Sequence, residues 1–127
     1  MAKARILIVE DEPNIVESLN FILSRAGFEV DTANDGAEAL DRVRRQVFEV
    51  LVLDIMLPGM NGLDVLKAIR SDRALATLPV MVLTAKGQAS DRRIAEAIGA
   101  SDFITKPFSN ADVVERVCRL AEGGVPR

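Results

Sequence analysis

The 127-residue chain contains no histidine, no tryptophan and no tyrosine, and a single cysteine. Without histidine it cannot build a Ser-His-Asp or Cys-His catalytic pair, a His-ligated zinc, or a phosphohistidine of its own. One cysteine, Cys118, excludes an internal disulfide and a Cys-cluster metal site, and its apolar sequence context reads as a buried structural thiol. Any metal must therefore be held by oxygen ligands. The missing Trp and Tyr remove common anchors of carbohydrate and single-stranded nucleic-acid surfaces, leaving five phenylalanines as the aromatic content. A net charge of −3 with no basic block argues against direct nucleic-acid binding. No apolar run approaches the ~18 residues of a membrane span, and the N-terminus lacks a signal peptide's apolar stretch and cleavage site. The expectation is a soluble, cytoplasmic chain with no membrane partner.

Nearly half of the residues, 49%, are hydrophobic, enough for one well-packed core in a chain of this length. Their pattern alternates between two periods. "RILIV" (5–9) reads as a strand, and Pro13 opens a helix running from 14 to 26 with Gly27 as its stop. Phe21 broadens that helix's apolar face. "FEVDTA" (28–33) alternates like a half-exposed strand, followed by a helix capped by Asn34 or Asp35 with Ala37, Leu40 and Val43 inward. "EVLVLD" (49–54) is the most apolar strand, the pattern of one covered on both faces and hence central. A loop "LPGMNG" leads to a helix over 63–71, then "LPVMVLT" (78–84) with Pro79 tolerable only at its start. A short helix ending near Gly99, a fifth strand "DFIT" (102–105) and a helix from a Ser109 or Asn110 cap complete the alternation. Five strands alternating with five helices predict an α/β fold: one doubly wound parallel sheet, flavodoxin-like in order 2-1-3-4-5, with helices on both faces. Residues 1–121 form one expected domain, and 122–127 a loose tail or linker stub.

In such sheets ligands bind beyond the carboxyl ends of the strands, where strand order reverses. The first strand ends at Glu10 and Asp11, the third at Asp54, the fourth at Thr84, and the fifth just before Lys106. Singly, each has a plainer explanation: Asp11 or Glu12 as a helix cap, Asp54 as a turn former, Thr84 as a strand residue, Lys106 as a solvated charge. Together they form a constellation, because clustered like charges cost free energy unless a cation compensates. Mg²⁺ suits the set, taking one or two carboxylates while bridging to phosphoryl oxygens, and Mn²⁺ can substitute. A carboxylate oxygen of Asp54 can then attack phosphorus, with Lys106 neutralising charge and Thr84 donating a hydrogen bond.

"ILIVEDE", "LVLDIMLPGMNG", "VMVLTAK" and "GASDFITKPF" together resemble the receiver domain of two-component response regulators, over about residues 5–120. They are similar both to the stand-alone chemotaxis regulator and to the receivers of winged-helix transcription factors. The resemblance implies a phosphorylation-switched signalling domain with Asp54 as phosphoacceptor. It also implies Asp11 as a direct metal ligand, Met56 contributing its backbone carbonyl, and Glu10 acting through a metal-bound water. Lys106 would pair with the phosphoryl group, with a cis bond to Pro107. Thr84 and Phe103 would form the switch that reshapes helix 4, strand 5 and helix 5. Phe103 stands where many members carry Tyr, so no hydroxyl is available to a partner there.

The donor implied is a sensor histidine kinase or histidine phosphotransfer protein, docking near Ile15, Leu19, Pro107 and Phe108, with Leu19 also readable as core. Asp102 and Arg116 resemble an ion pair through which the winged-helix branch dimerises when phosphorylated, with Arg92 joining it; solvated charges worth little are the plainer reading. A downstream protein target is the other expected partner. Met56 offers no polar side chain to orient attacking water, and Lys86 follows Thr84 by two residues, so a phosphorylated lifetime of minutes or more is expected. The chain is expected to self-phosphorylate and autodephosphorylate rather than turn over a substrate. A haloacid-dehalogenase-type phosphatase would want an acid where Met56 stands. A dinucleotide fold would want G-x-G-x-x-G after the first strand, and a flavodoxin a hydroxyl-rich loop. The alternative within the family is a degenerate receiver that binds partners without phosphorylation.

Overall fold

The computed structural model describes residues 3–85 and 89–122. Its elements alternate as the apolar pattern demands: β1 Arg5–Val9, α1 Pro13–Arg25, β2 Glu29–Ala33, α2 Gly36–Arg45, β3 Val50–Asp54, α3 Gly62–Ser71, β4 Val80–Ala85, α4 Ala89–Ile98, β5 Asp102–Lys106 and α5 Asn110–Ala121. All ladders are parallel, in the order β2-β1-β3-β4-β5. Every residue of β3 is buried, as expected of a central strand flanked by β1 and β4.

Strand residues alternate between two cores. Leu7, Leu51, Leu53, Val80 and Val82 pack with α2, α3 and Ala95 of α4, whereas Ile8, Val50, Val52, Met81 and Leu83 pack with α1 and α5. The strand order reverses between β1 and β3, so the loops after these two strands open side by side at the carboxyl rim.

Local chemistry fixes most boundaries. Asp35 caps α2 by accepting from the Glu38 amide at 2.8 Å, Asn61 caps α3, and Ser109 caps α5. Pro79 lies just ahead of β4, and Phe28 just ahead of β2. Ala37 faces solvent; the inward face of α2 is Gly36, Ala39, Leu40 and Val43. Leu40 and Val43 face inward as expected, and Gly36 and Ala39 complete the stripe in place of Ala37. Phe21 is 61% exposed, with the Arg25 guanidinium 5.6 Å from its ring centroid, so it lies outside the apolar stripe rather than widening it. Leu19 is core, while Ile15 and Phe108 are half-buried and Pro107 is exposed. Cys118 is half-buried on α5, and burial pushes its thiol pKa up. No helix among the described residues is long and apolar enough to cross a membrane. Of the expected tail, residues 123–127 lie outside the described residues, as does Lys86.

Candidate functional site

The loop after β3 explains how an acid can end a buried strand. Gly62 donates its amide to the Ile55 carbonyl at 2.9 Å, and a Cβ on Gly62 would collide with the Asp54 carbonyl oxygen and come within 2.7 Å of the Ile55 Cα. Only glycine lets α3 begin against the strand end, with Gly59 taking a positive φ of 70° in the turn before it. The Asp54 side chain is thereby held at the rim, 3% exposed, accepting from the Met56 amide at 3.3 Å.

Glu10, at the end of β1, is fully buried. Its Oε2 accepts from the amides of Asp11 (3.0 Å) and Glu12 (3.2 Å), turning the chain into α1, while its Oε1 accepts from Lys106 Nζ at 3.0 Å. Glu12 occupies the α1 N-cap position but makes no side-chain bond to the helix, so the capping explanation of these acids does not apply. Lys106 Nζ also lies 3.3 Å from Asp54 Oδ2. The Lys106–Pro107 bond is cis.

Glu10, Asp11 and Asp54 offer carboxylate oxygens within 4.8 Å of one another. Against three acids the described residues set one ammonium, and the electrostatics show the imbalance. Burial, then the charge and hydrogen bonding of Glu10, push the Asp54 carboxyl up to about 6, despite the opposing pull of Lys106 and the Met56 amide. Burial alone would depress Lys106, but the Glu10 hydrogen bond and the charges of Asp54 and Glu10 outweigh it and raise its pKa. An all-oxygen donor set with excess negative charge fits a hard divalent cation such as Mg²⁺.

Thr84 is 2% exposed at the end of β4, one residue beyond the register partner of Asp54. Its hydroxyl bonds toward β5, to the Ile104 carbonyl at 3.4 Å and the Thr105 hydroxyl at 3.2 Å. Phe103 lies on the α4 side, half-buried, with the Arg92 guanidinium 4.9 Å from its ring centroid. Arg92 thus stacks on the ring. Asp102 instead pairs with Arg116 at 2.7 Å, and Arg116 also bonds Asp112 at 2.9 Å and the Phe103 carbonyl at 3.2 Å.

The sequence-expected residues therefore divide into a rim cluster of Glu10, Asp11, Asp54 and Lys106, and a column around Thr84 and Phe103. Thr105, which joins the column to β4, was not anticipated. Its period-two spacing from Phe103 was visible in sequence, but its pairing with Thr84 depends on inter-strand register.

The match to known proteins agrees with this geometry. The response regulator receiver domain family covers residues 6–118. The chain is 45% identical over 115 residues to TcrX of Mycobacterium tuberculosis, covering 91% of this chain and 48% of that protein. It is 41% identical over 113 residues to PhoP of Bacillus subtilis, the alkaline phosphatase synthesis transcriptional regulatory protein, covering 89% and 46%. It thus spans about half the length of these relatives. Chemotaxis protein CheY4 of Vibrio cholerae superposes with a TM-score of 0.87 at 31% identity, covering 94% of this chain and 99% of that one. The chain belongs to the receiver domain family of two-component response regulators.

Proposed function

We propose that Asp54 is a phosphoacceptor, loaded from a phosphohistidine on a sensor histidine kinase or histidine phosphotransfer protein, and that loading reshapes the α4–β5–α5 surface. The observation that carries this reading is the buried acid itself. Asp54 lies with Glu10 and Asp11 in a three-carboxylate cluster and is met by Lys106 3.3 Å away.

In the reaction, one Asp54 carboxylate oxygen forms a bond to phosphorus while the phosphorus–nitrogen bond to the donor imidazole breaks, and the imidazole leaves with the electron pair. The Lys106 ammonium neutralises charge on the transferring oxygens. Thr84, once its proton turns from β5, donates to a phosphoryl oxygen. Mg²⁺, when held by Asp11, Asp54, the Met56 carbonyl and, through water, Glu10, supplies positive charge to the same oxygens. The donor imidazole must come from outside these 127 residues, which contain no histidine. With Ile15 and Phe108 half-buried and Pro107 exposed beside the rim, a helix-bundle donor has an apolar rest next to the acids. On the far face, the Asp102–Arg116 pair and Arg92 are candidate contacts for a phosphorylation-dependent homodimer or a downstream target. Nothing in this scheme turns over a substrate.

Incubation with Mg²⁺ and acetyl phosphate, followed by intact mass measurement, tests the reading. One phosphoryl adduct is expected on the wild type and none on Asp54→Ala. No adduct on wild type would leave a receiver that acts only through protein contacts, and an adduct surviving Asp54→Ala would put the phosphoryl group on another residue; either outcome overturns the reading.

A further inference from the structure

We infer that Thr105 is a positioning residue of the switch: its hydroxyl, with the Ile104 carbonyl, holds the Thr84 hydroxyl toward β5 until Asp54 is loaded. The inference rests on the phosphoacceptor reading of Asp54 and adds a residue that sets the resting side of its equilibrium.

Register places the parts. The β4–β5 ladder sets Thr84 opposite Thr105 and Val82 opposite Phe103. Side chains two apart on a strand share a face, so Phe103 and Thr105 stand together with Val82 and Thr84 on the side packed by α3 and α4. The hydroxyls of Thr84 and Thr105 are 3.2 Å apart, and the Ile104 carbonyl is 3.4 Å from Thr84 Oγ1.

A threonine hydroxyl carries one proton and two lone pairs, while a carbonyl can only accept. Thr84 therefore either donates to Ile104 and accepts from Thr105, or donates to Thr105. In both arrangements its single proton points to β5. To donate to a phosphoryl oxygen on Asp54, Thr84 must take that proton away from β5. At 2% exposure it has little water to compensate the change, whereas exposed Thr105 can turn to solvent.

A cross-strand Thr–Thr pair ordinarily adds little to a sheet. Here it acts on one side of a two-state equilibrium only, so a small contribution becomes a bias. Removing the Thr105 hydroxyl without changing shape should release Thr84 and make the loaded arrangement easier to reach.

The test uses beryllofluoride with Mg²⁺ as a phosphoryl mimic, titrated by calorimetry against the wild type, Thr105→Val, Thr105→Ser, Thr84→Val and the Thr84→Val/Thr105→Val double variant. Thr105→Val should bind the mimic about threefold tighter or more, the effect of one neutral hydrogen bond. Thr105→Ser, which keeps the hydroxyl, should bind like wild type. In the Thr84→Val background the Thr105→Val gain should vanish, since the effect runs through the Thr84 hydroxyl. Unchanged affinity in Thr105→Val, or an equal gain without the Thr84 hydroxyl, would overturn the inference. Thr105→Ala supplies the same comparison if the valine variant folds poorly. Failure of the wild type to bind the mimic would instead count against the phosphoacceptor reading.

Discussion

Two ionic groups are taken out of solvent at opposite ends of the sheet, and they are treated differently. Below β4, the Arg70 guanidinium donates from Nε to the Gly99 carbonyl (2.8 Å), from Nη1 to the Ala76 (3.2 Å) and Leu78 (2.8 Å) carbonyls, and from Nη2 to Ser101 Oγ (3.3 Å). Every partner is neutral, and Ser101 Oγ in turn accepts from the Val80 amide at 3.0 Å, so α3, the start of β4 and the end of α4 are tied to one side chain. Burial lowers the Arg70 pKa, but a guanidinium remains charged across the working range. Above β3, three carboxylates face one lysine among the described residues, and the burden falls on Asp54. A single charge among oriented dipoles makes a clamp. An excess of like charge makes a site that gains by taking up a cation or losing its own charge.

If that contrast is right, the two sites should separate under mutation. Arg70→Ala should carry the largest stability cost, about 3 kcal/mol by urea unfolding, because it removes the donor to the Gly99, Ala76 and Leu78 carbonyls and to Ser101 at once. Adduct formation per folded molecule should survive. A fall in adduct formation without a stability loss would erase the distinction between clamp and site. Next in size is the metal. At about a hundredfold excess over Kd, Mg²⁺ should add about 2.7 kcal/mol to the stability of the wild type. The increment should disappear in Asp11→Asn and persist in Arg70→Ala, both read by thermal melts with and without chelator. Equal increments in wild type and Asp11→Asn would remove Asp11 from the metal site.

The contrast also marks what the sequence could reveal. The rim was legible because its residues end apolar strands: Glu10 and Asp11 after "RILIV", Asp54 after "EVLVL", Thr84 after "PVMVL". Strand ends are fixed by hydrophobic pattern, and a parallel sheet brings its carboxyl ends together whatever the side chains. Arg70 and Thr105 were not legible in this way. Arg70 reads as an ordinary basic residue in the last turn of α3, and its acceptors lie in two other connections whose geometry no period encodes. Gly99, with a φ of 121°, was recognisable as a helix stop, but not as the carbonyl acceptor that Arg70 needs. Arg92 was read with Asp102 and Arg116 from the resemblance to a dimer ion pair; within this chain its guanidinium lies over the Phe103 ring.

The smallest effect tests the excess charge directly. Asp54 titrates near 6 in the fold against an ordinary value of 3.8, so the fold prefers its protonated form. Between these values the folded state binds more protons than the unfolded state, and stability falls as pH rises through the window. Below about pH 4 both states are protonated and there is no penalty; above about pH 6 the penalty is fully present. In chelated buffer Asp54→Asn should therefore match the wild type near pH 4. It should exceed it by about 1–2 kcal/mol at pH 7, allowing for solvent screening at the rim. Arg70, whose partners do not titrate, should show no such window when Arg70→Lys is melted over the same range. A stability difference between Asp54→Asn and wild type that stays flat from pH 4 to 7 would mean that Lys106 already balances the rim, and that the acids there are not waiting for a cation.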